Sequence, residues 1–389
     1  MVLVTVCCER DYTITTSALL RWKPYNRLSM TVAIRSFGKI NVGLYIGARR
    51  ADGFHTLRTV YQTIALHDLI RVEVGRGSKI EIECDDPRVP RDSANTCYRV
   101  AERAMDAVGV QGQVRVKIEK RLPIQGGLGA ASSNAVATML ALEGALEANF
   151  KSGFKRGRQT RGRLLSGPER MRIASDVGSD LPLFLIGGTV LGVGRGEEVY
   201  PLADLPGMPV VVVTPEIGIS TPRAFANWDA LVERGRGTSK FSGARVVEGP
   251  QRDASGTELT HSSSSDRLVK VSCALSAWLG SNANAGAPAK GGGRAGNLLS
   301  DLVRAGIEND FERVAFSEFP ELRDIKRALE RAGSRYTSLS GSGSTLYGLF
   351  ESAEAAKRGA KGLQKQGLKA IATRTLTRRE YWSKLSVSG

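Results

Sequence analysis

Histidine is scarce in this 389-residue chain: only His55, His67 and His261 occur, and none lies near a cysteine at metal-ligand spacing. The five cysteines, Cys7, Cys8, Cys84, Cys97 and Cys273, form no C-x-x-C pair. This usage argues against a histidine- or cysteine-based zinc site, and a reducing, cytoplasmic compartment fits it. Aromatic residues make up only 6% of the chain, and no RNP-like or zinc-finger pattern accompanies them. That removes the stacking platforms and reading modules of the common nucleic-acid binders. No apolar run approaches the roughly 20 residues that a membrane-spanning helix needs. A Walker A loop is also missing, because no glycine-rich stretch ends in Gly-Lys-Ser/Thr.

What the chain has in excess is positive charge. Lys and Arg number 55 against 39 Asp and Glu, a net charge of +16. Part of it is local: Lys151, Lys155, Arg156, Arg158, Arg161 and Arg163 crowd one glycine-containing stretch. Such a stretch reads as a solvated loop, as a surface for an anionic nucleotide, or as a nucleic-acid contact. No specific nucleic-acid partner is expected, and salt-dependent binding of mixed-sequence DNA or RNA would distinguish the last reading.

Organisation follows from pattern. Residues 1–29 lack the basic start and small-residue cleavage site of a signal peptide and read as a disordered or spurious extension. From residue 30 to about 207 the pattern is dense. Val32 to Ile34 reads as a strand, and Ile40, Val42, Leu44 and Ile46 alternate with small or polar residues. Leu69–Val74 and Lys79–Glu83 read as two strands joined by a glycine-bearing turn. Asn95 to Val108 has helical spacing, with Val100, Ala101, Ala104, Met105 and Val108 on one face. Val114 to Ile118 alternates as a strand, and Ser132 to Ala148 is a helix of small residues. A second segment, 208–389, opens on the apolar run Val210–Val213, loses periodicity over about 233–296 apart from a helix-like Leu268–Leu279, and regains it in Asn297–Ala332 and Ser344–Phe350. Strands and helices mix in both halves, so the expected class is α+β with two domains and a cleft between them.

One segment carries the strongest chemical signal: Pro123, Ile124, Gln125, Gly126, Gly127, Leu128, Gly129, Ala130, Ala131, Ser132, Ser133, Asn134, Ala135. Glycines let backbone N–H groups approach an anion, and the following helix adds its positive end. A glycine-rich turn before a helix is often a tight connection only, but the proline start, Gly-Gly-Leu-Gly core and Ser-Ser-Asn exit are together specific.

This loop resembles the phosphate-binding motif of the GHMP kinases, named for galactose, homoserine, mevalonate and phosphomevalonate kinases. Further segments are similar to one branch, the 4-diphosphocytidyl-2-C-methyl-D-erythritol kinases. They are Phe37-Gly38-Lys39-Ile40-Asn41-Val42-Gly43-Leu44, Arg49-Arg50-Ala51-Asp52-Gly53-Phe54-His55, Lys120-Arg121-Leu122-Pro123, Gly178-Ser179-Asp180-Leu181-Pro182-Leu183-Phe184, and Ser340-Gly341-Ser342-Gly343-Ser344. The similarity spans about 31–228 and resumes at 297; it omits the leader and most of 233–296.

The resemblance implies the two-domain GHMP kinase fold, with an N-terminal ribosomal protein S5 domain 2-like half and a C-terminal ferredoxin-like half. It also implies ATP as co-substrate, with Mg²⁺, and a small-molecule acceptor bearing a cytidine diphosphate. Lys39 and Asp180 occupy the family's catalytic positions: Asp180 would take the hydroxyl proton, and Lys39 would orient it and offset phosphate charge. Read without the family, Lys39 is a surface lysine near a strand start and Asp180 a helix N-cap. Residues 123–133 would bind ATP, with Ser132 or Ser133 as possible ligands to Mg²⁺. Phe54 and Phe225 would sandwich the cytosine, His55 would meet its polar edge, and Asn41 and Thr221 would hold polar groups of the substrate; a phenylalanine alone reads first as core, although the turn-like Gly53-Phe54-His55 favours exposure of Phe54. Three departures stand out. Gln125, Ala130 and Ala131 replace glycines usual in the family, Phe54 replaces the commoner tyrosine, and Arg223 and Ala224 precede Phe225 where more apolar residues are usual. A monomer or weak homodimer is expected, with no membrane partner. A homoserine- or mevalonate-type kinase is the alternative, against which the Phe54-His55 segment argues.

Overall fold

The structure, a computed structural model, describes residues 31–124, 126–151, 164–238 and 307–387. The leader, Gln125, most of the basic stretch 151–163, the helix-like Leu268–Leu279 with nearly all of the low-complexity insert, and residues 297–306 lie outside the described residues.

Two long strands organise the first half. β1 (Val32–Arg49) and β2 (His55–Gly75) form an antiparallel hairpin whose register shifts at Phe37/Lys39, Asn41/Gly43 and Ile46/Arg49. These irregularities explain why the sequence reads as two short strands where one long, bent strand runs: each shift breaks the strict alternation. β2 then pairs with β4 (Gln113–Glu119) along one stretch and with β5 (Thr189–Val193) along another, while β6 (Glu198–Pro201) closes that edge. The expected turn-linked pair of Leu69–Val74 and Lys79–Glu83 is not a hairpin. β3 (Ile80–Cys84) runs parallel to β4, and β4 sits between it and β2. The reason is burial: Val114, Val116 and Ile118 are almost wholly enclosed, as suits an interior strand.

Helices cover one face of this sheet. α1 (Thr96–Val108) buries the predicted face, Val100, Ala101, Ala104, Met105 and Val108. Asn95 caps it by accepting from the Cys97 amide, and Gly109, at φ 66°, ends it in the left-handed region that glycine adopts without strain. α2 (Ala130–Lys151) starts two residues earlier than its sequence pattern indicates. Ala130 and Ala131 are therefore ordinary first-turn helical residues, and their departure from glycine needs no shift of the loop. α3 (Gly167–Val177) opens with a Ser166/Glu169 capping box, and the short α4 (Leu181–Phe184) follows it. Cys84 and Cys97 are free thiols within this core, and burial pushes the Cys97 thiol up to about 12, so it packs as a small apolar group.

The second half is a four-stranded antiparallel sheet in the order β10-β7-β9-β8, formed by β7 (Pro209–Val213), β8 (Tyr336–Leu339), β9 (Leu346–Leu349) and β10 (Ala370–Arg374). With α5 (Thr221–Thr238), α6 (Phe311–Glu318), α7 (Pro320–Arg331) and α8 (Ala353–Lys365) between strands, this is the split β-α-β arrangement of ferredoxin-like domains. Val210–Val213 is fully buried at its centre.

The halves are joined through the β1–β2 hairpin. Leu44 and Ile46 of β1 belong to the core of the second sheet, together with Val211, Val213 and Phe311. Leu44 N donates to Glu308 O at 3.0 Å, and Ile46 N donates to the Asp310 carboxylate at 2.9 Å. The terminal α9 (Arg378–Leu385) returns to the first half, where the Tyr381 hydroxyl donates to Phe184 O at 2.7 Å. Among the described residues no helix is long and apolar enough to cross a membrane.

Candidate active site

Where the hairpin, the α2 loop and the second sheet meet lies a cavity of about 610 Å³. Its lining includes Lys39, Asn41, Phe54, His55, Asp180, Thr221 and Phe225, together with Pro123, Ile124 and residues 126–132 of the glycine-rich turn. Thus all but two of the site residues expected from sequence face one space. Ser133 does not line it, and Gln125 lies outside the described residues.

Lys39 and Asn41 are two positions apart on β1 and project to one face, as strand geometry requires. Lys39 is 3% exposed, which removes the surface-lysine reading. Its ammonium lies 3.4 Å from Asp180 Oδ2 and donates to Asn41 Oδ1 at 2.6 Å. Asn41 is fixed in turn: its Nδ2 donates to Thr59 Oγ1 at 2.7 Å, and its backbone carbonyl accepts from the Tyr347 hydroxyl at 2.8 Å. The Thr59 hydroxyl donates to Gly43 O at 2.7 Å, so the chain of bonds closes on β1 itself. A lysine so held has lost most of its rotamer freedom before any ligand arrives.

Asp180 stands at the N-cap position of α4, but its side chain makes no cap bond to the helix. Its carboxylate instead takes Lys39 on Oδ2 and the Tyr61 hydroxyl, at 3.1 Å, on Oδ1. Tyr61 carries no sequence signal, because a tyrosine in an alternating strand looks like core. Burial first, and then the neighbouring Asp180 charge, hold its phenol well above the usual tyrosine range. Tyr61 therefore keeps its proton at physiological pH and acts as a donor, so the Asp180 carboxylate is directed by two partners. The Lys39 ammonium also stands 5.4 Å over the Tyr61 ring. Tyr61→Phe should lower kcat about tenfold, the worth of one hydrogen bond to a charged group, with the melting temperature nearly unchanged. Steady-state kinetics beside a thermal melt would check this, and an unchanged kcat would show that Asp180 needs no second partner.

Two glycine-rich turns interlock opposite this pair. Thr345 N donates to Gly126 O at 3.2 Å, and the Ser340 hydroxyl donates to Gly127 O at 2.9 Å. Asn309 grips the second turn, donating to Leu339 O and Gly341 O at 2.8 Å each. Gly129, at φ 67°, lies against Lys39: a Cβ there would sit 3.0 Å from the Lys39 Cγ and from Phe184. The turn delivers the N-terminus of α2 to the cavity, a position suited to an anionic phosphate. Lys120, in the lead to this turn, is ion-paired with the fully buried Asp68, whose other oxygen accepts from the Arg121 and Leu122 amides at 2.6 and 2.7 Å.

The two serines differ. Ser133 is 1% exposed, and its hydroxyl donates to Phe37 O at 2.6 Å, so it secures α2 to β1. Ser132 faces the cavity. No group of three or more His, Cys, Asp or Glu residues able to hold a metal occurs among the described residues. Among the described residues Asp180 is the one acidic side chain that lines the cavity, beside neutral donors such as the Ser132 hydroxyl. A lining with a single carboxylate fits an ion that keeps most of its water and is held largely by the nucleotide's phosphates.

The far end of the cavity is aromatic. Phe54 is 51% exposed, and the Arg195 guanidinium lies 5.0 Å over its ring. Phe225, on α5, stacks on His55 with ring centroids 5.1 Å apart and planes 7° from parallel. His55 Nε2 is 2.7 Å from Asp229 Oδ1, and the Thr221 hydroxyl is 3.0 Å from that of Ser342. Arg195 and Asp229 carry no sequence signal, since a lone charge in a turn or on a helix is usually solvated.

Comparisons with known proteins agree with this architecture. Residues 95–188 match the GHMP kinases N terminal domain family, and residues 293–369 match the GHMP kinases C terminal family. A 4-diphosphocytidyl-2-C-methyl-D-erythritol kinase of Solibacter usitatus is 33% identical over 318 residues, covering 82% of this chain and 80% of that protein. One from Moorella thermoacetica is 31% identical, covering 89% of this chain and 99% of the relative. A crystal structure of 4-(cytidine 5'-diphospho)-2C-methyl-D-erythritol kinase superposes with a TM-score of 0.57 at 27% identity, over 88% of this chain and 98% of that one. The homoserine kinase of Cytophaga hutchinsonii also superposes, with a TM-score of 0.57, but its 18% identity speaks for the fold alone. The chain belongs to the GHMP kinases, within the 4-diphosphocytidyl-2-C-methyl-D-erythritol kinase family.

Proposed function

We propose that this chain transfers the γ-phosphoryl group of ATP to the 2-hydroxyl of 4-diphosphocytidyl-2-C-methyl-D-erythritol, a step in making isoprenoid precursors by the non-mevalonate route. The observation that carries the reading is the 3.4 Å approach of Lys39 and Asp180 inside a cavity roofed by two interlocked glycine-rich turns. The relatives named for this reaction support the choice of acceptor.

In this reading Asp180 Oδ2 accepts the proton of the acceptor hydroxyl as its oxygen attacks the γ-phosphorus, and ADP leaves with the electrons of the broken P–O bond. Lys39, held by Asn41, stands beside the point of attack and offsets charge spreading over the equatorial oxygens. The backbone of the 126–129 turn and the α2 N-terminus receive the phosphates, and Ser132, which lines the cavity, would be a protein ligand to Mg²⁺ carried with the nucleotide. Bound there, the ion would neutralise phosphate charge.

The aromatic end receives the cytidine. Phe54 offers a half-exposed ring, and Arg195 covers one of its faces, which leaves the other for a base. Phe54→Ala should raise the acceptor KM at least tenfold while leaving the ATP KM near its starting value, because a stacked base is worth about 1–3 kcal/mol. Equal losses for both substrates would contradict the assignment.

The direct test incubates the full chain with ATP, Mg²⁺ and a panel of acceptors, with and without a cytidine diphosphate, and follows ADP release. Turnover should require the cytidine diphosphate. Phosphorylation of homoserine or mevalonate in its place would overturn the proposal.

A further inference from the structure

The clasp on His55 has a consequence for base selection, and it rests on the function proposed above. His55 opens β2 at the tip of the long hairpin and is only 6% exposed. It reaches across to α5 of the second domain, which grips it twice. Phe225 stacks on its ring, and Asp229, one helical turn further along the same face, meets its Nε2 at 2.7 Å. Phe225 is itself wedged by the edge of Phe311, at 5.0 Å and 76°. The ring therefore cannot tilt without losing the stack, nor flip without losing the contact to Asp229.

We propose that Asp229 is a positioning residue that makes this site select cytosine over uracil. A neutral imidazole carries one N–H, and a carboxylate at hydrogen-bond distance can only accept. Asp229 thus draws the proton to Nε2, and Nδ1 is left with its lone pair. Nδ1 has no hydrogen-bond partner among the described residues, and His55 lines the cavity. The ligand group matching a fixed acceptor is a donor. Cytosine presents its 4-amino group on the edge where uracil presents a carbonyl oxygen, the same contrast that separates cytosine from thymine in nucleic acids. A uracil oxygen facing Nδ1 sets acceptor against acceptor in a buried place, and sites built to pair one polar group reject an analogue lacking it strongly.

Asp229 itself touches no reacting atom. Its carboxylate is 32% exposed on the outer side of His55, and the effect runs through the imidazole. A merely structural role would affect stability and both substrates together. Tautomer control predicts a split instead, seen only in discrimination between bases.

The experiment measures binding of CDP and UDP to the full chain by calorimetry, for the wild type and for Asp229→Asn, beside kinetics for ATP and the cytidine acceptor. The wild type should prefer CDP at least tenfold. Asp229→Asn, whose amide can donate to Nε2 and let the proton move to Nδ1, should lose most of that preference, with the ATP KM and melting temperature little changed. If Asp229→Asn fails to fold, Asp229→Ser is read in its place. Full CDP preference in the folded variant overturns the proposal, as does a wild type that binds CDP and UDP equally. In the latter case, phosphorylation of the cytidine acceptor by the same preparation would leave the function intact, so the two failures are separable.

Discussion

Replacing Asp180 by Asn should lower turnover by about 10²–10⁴, the usual worth of a positioned general base, while ATP binds nearly as before. The substitution keeps the size and one acceptor oxygen of the side chain. The Tyr61 hydroxyl, at 3.1 Å, can still donate to it, so the local packing survives. What is lost is the ability to take a proton, together with the negative charge facing the Lys39 ammonium at 3.4 Å. That ammonium keeps its bond to Asn41 Oδ1 and is not left without a partner, which limits the cost to stability. Single-turnover kinetics with saturating nucleotide would isolate the chemical step, and calorimetric titration with a non-hydrolysable ATP analogue would measure binding. A variant with full turnover would remove Asp180 from the mechanism.

The second large effect is expected at Gly127. Its φ of 76° lies in the left-handed region, and a Cβ there would stand 2.0 Å from the Ser340 carbonyl oxygen. No rotamer relieves that overlap, because the atom it meets is backbone and belongs to the facing turn. Gly127→Ala must push the two turns apart and break the Ser340–Gly127 hydrogen bond. The expected result is a destabilisation of about 1–3 kcal/mol or more and a rise of at least tenfold in the ATP KM. Gly53→Ala separates the causes. Gly53 has a similar φ of 84° but nothing within 4 Å of the added carbon, so it carries the backbone strain alone and should spare the ATP KM. Thermal melts and nucleotide titrations of both variants would check this. Wild-type behaviour of Gly127→Ala would mean that the interlocking of the turns does not shape the nucleotide site.

Much of the site is legible in the sequence because a tightly packed turn leaves its mark on consecutive residues. Gly126, Gly127 and Gly129 lie within four positions, and each permits one close approach, to Thr345, to Ser340 and to Lys39 respectively. The α1 face is legible for a similar reason, since an amphipathic helix writes its buried side at a fixed period. Periodicity tells less about the sheet. It says which face of a strand is buried but not which strand lies beside it, so pattern sets β3 next to β2 when β4 lies between them. The bends in β1 are hidden too, because a register shift is a relation between two strands and no single stretch records it.

The amino-acid sequence by itself determined the mixed α and β class and the glycine-rich turn before a helix; through its motifs it also marked Lys39 and Asp180 as a candidate pair. Those properties depend on residue type and on neighbours a few positions away. Only the tertiary structure decided that Tyr61 donates to Asp180, that Ser133 is spent on anchoring α2 while Ser132 faces the cavity, and that α5 clasps His55 through Phe225 and Asp229. Each of these is a contact between groups far apart in the chain. Their distance and direction are set by how the β1–β2 hairpin packs into the second sheet, and that packing is a property of both domains together.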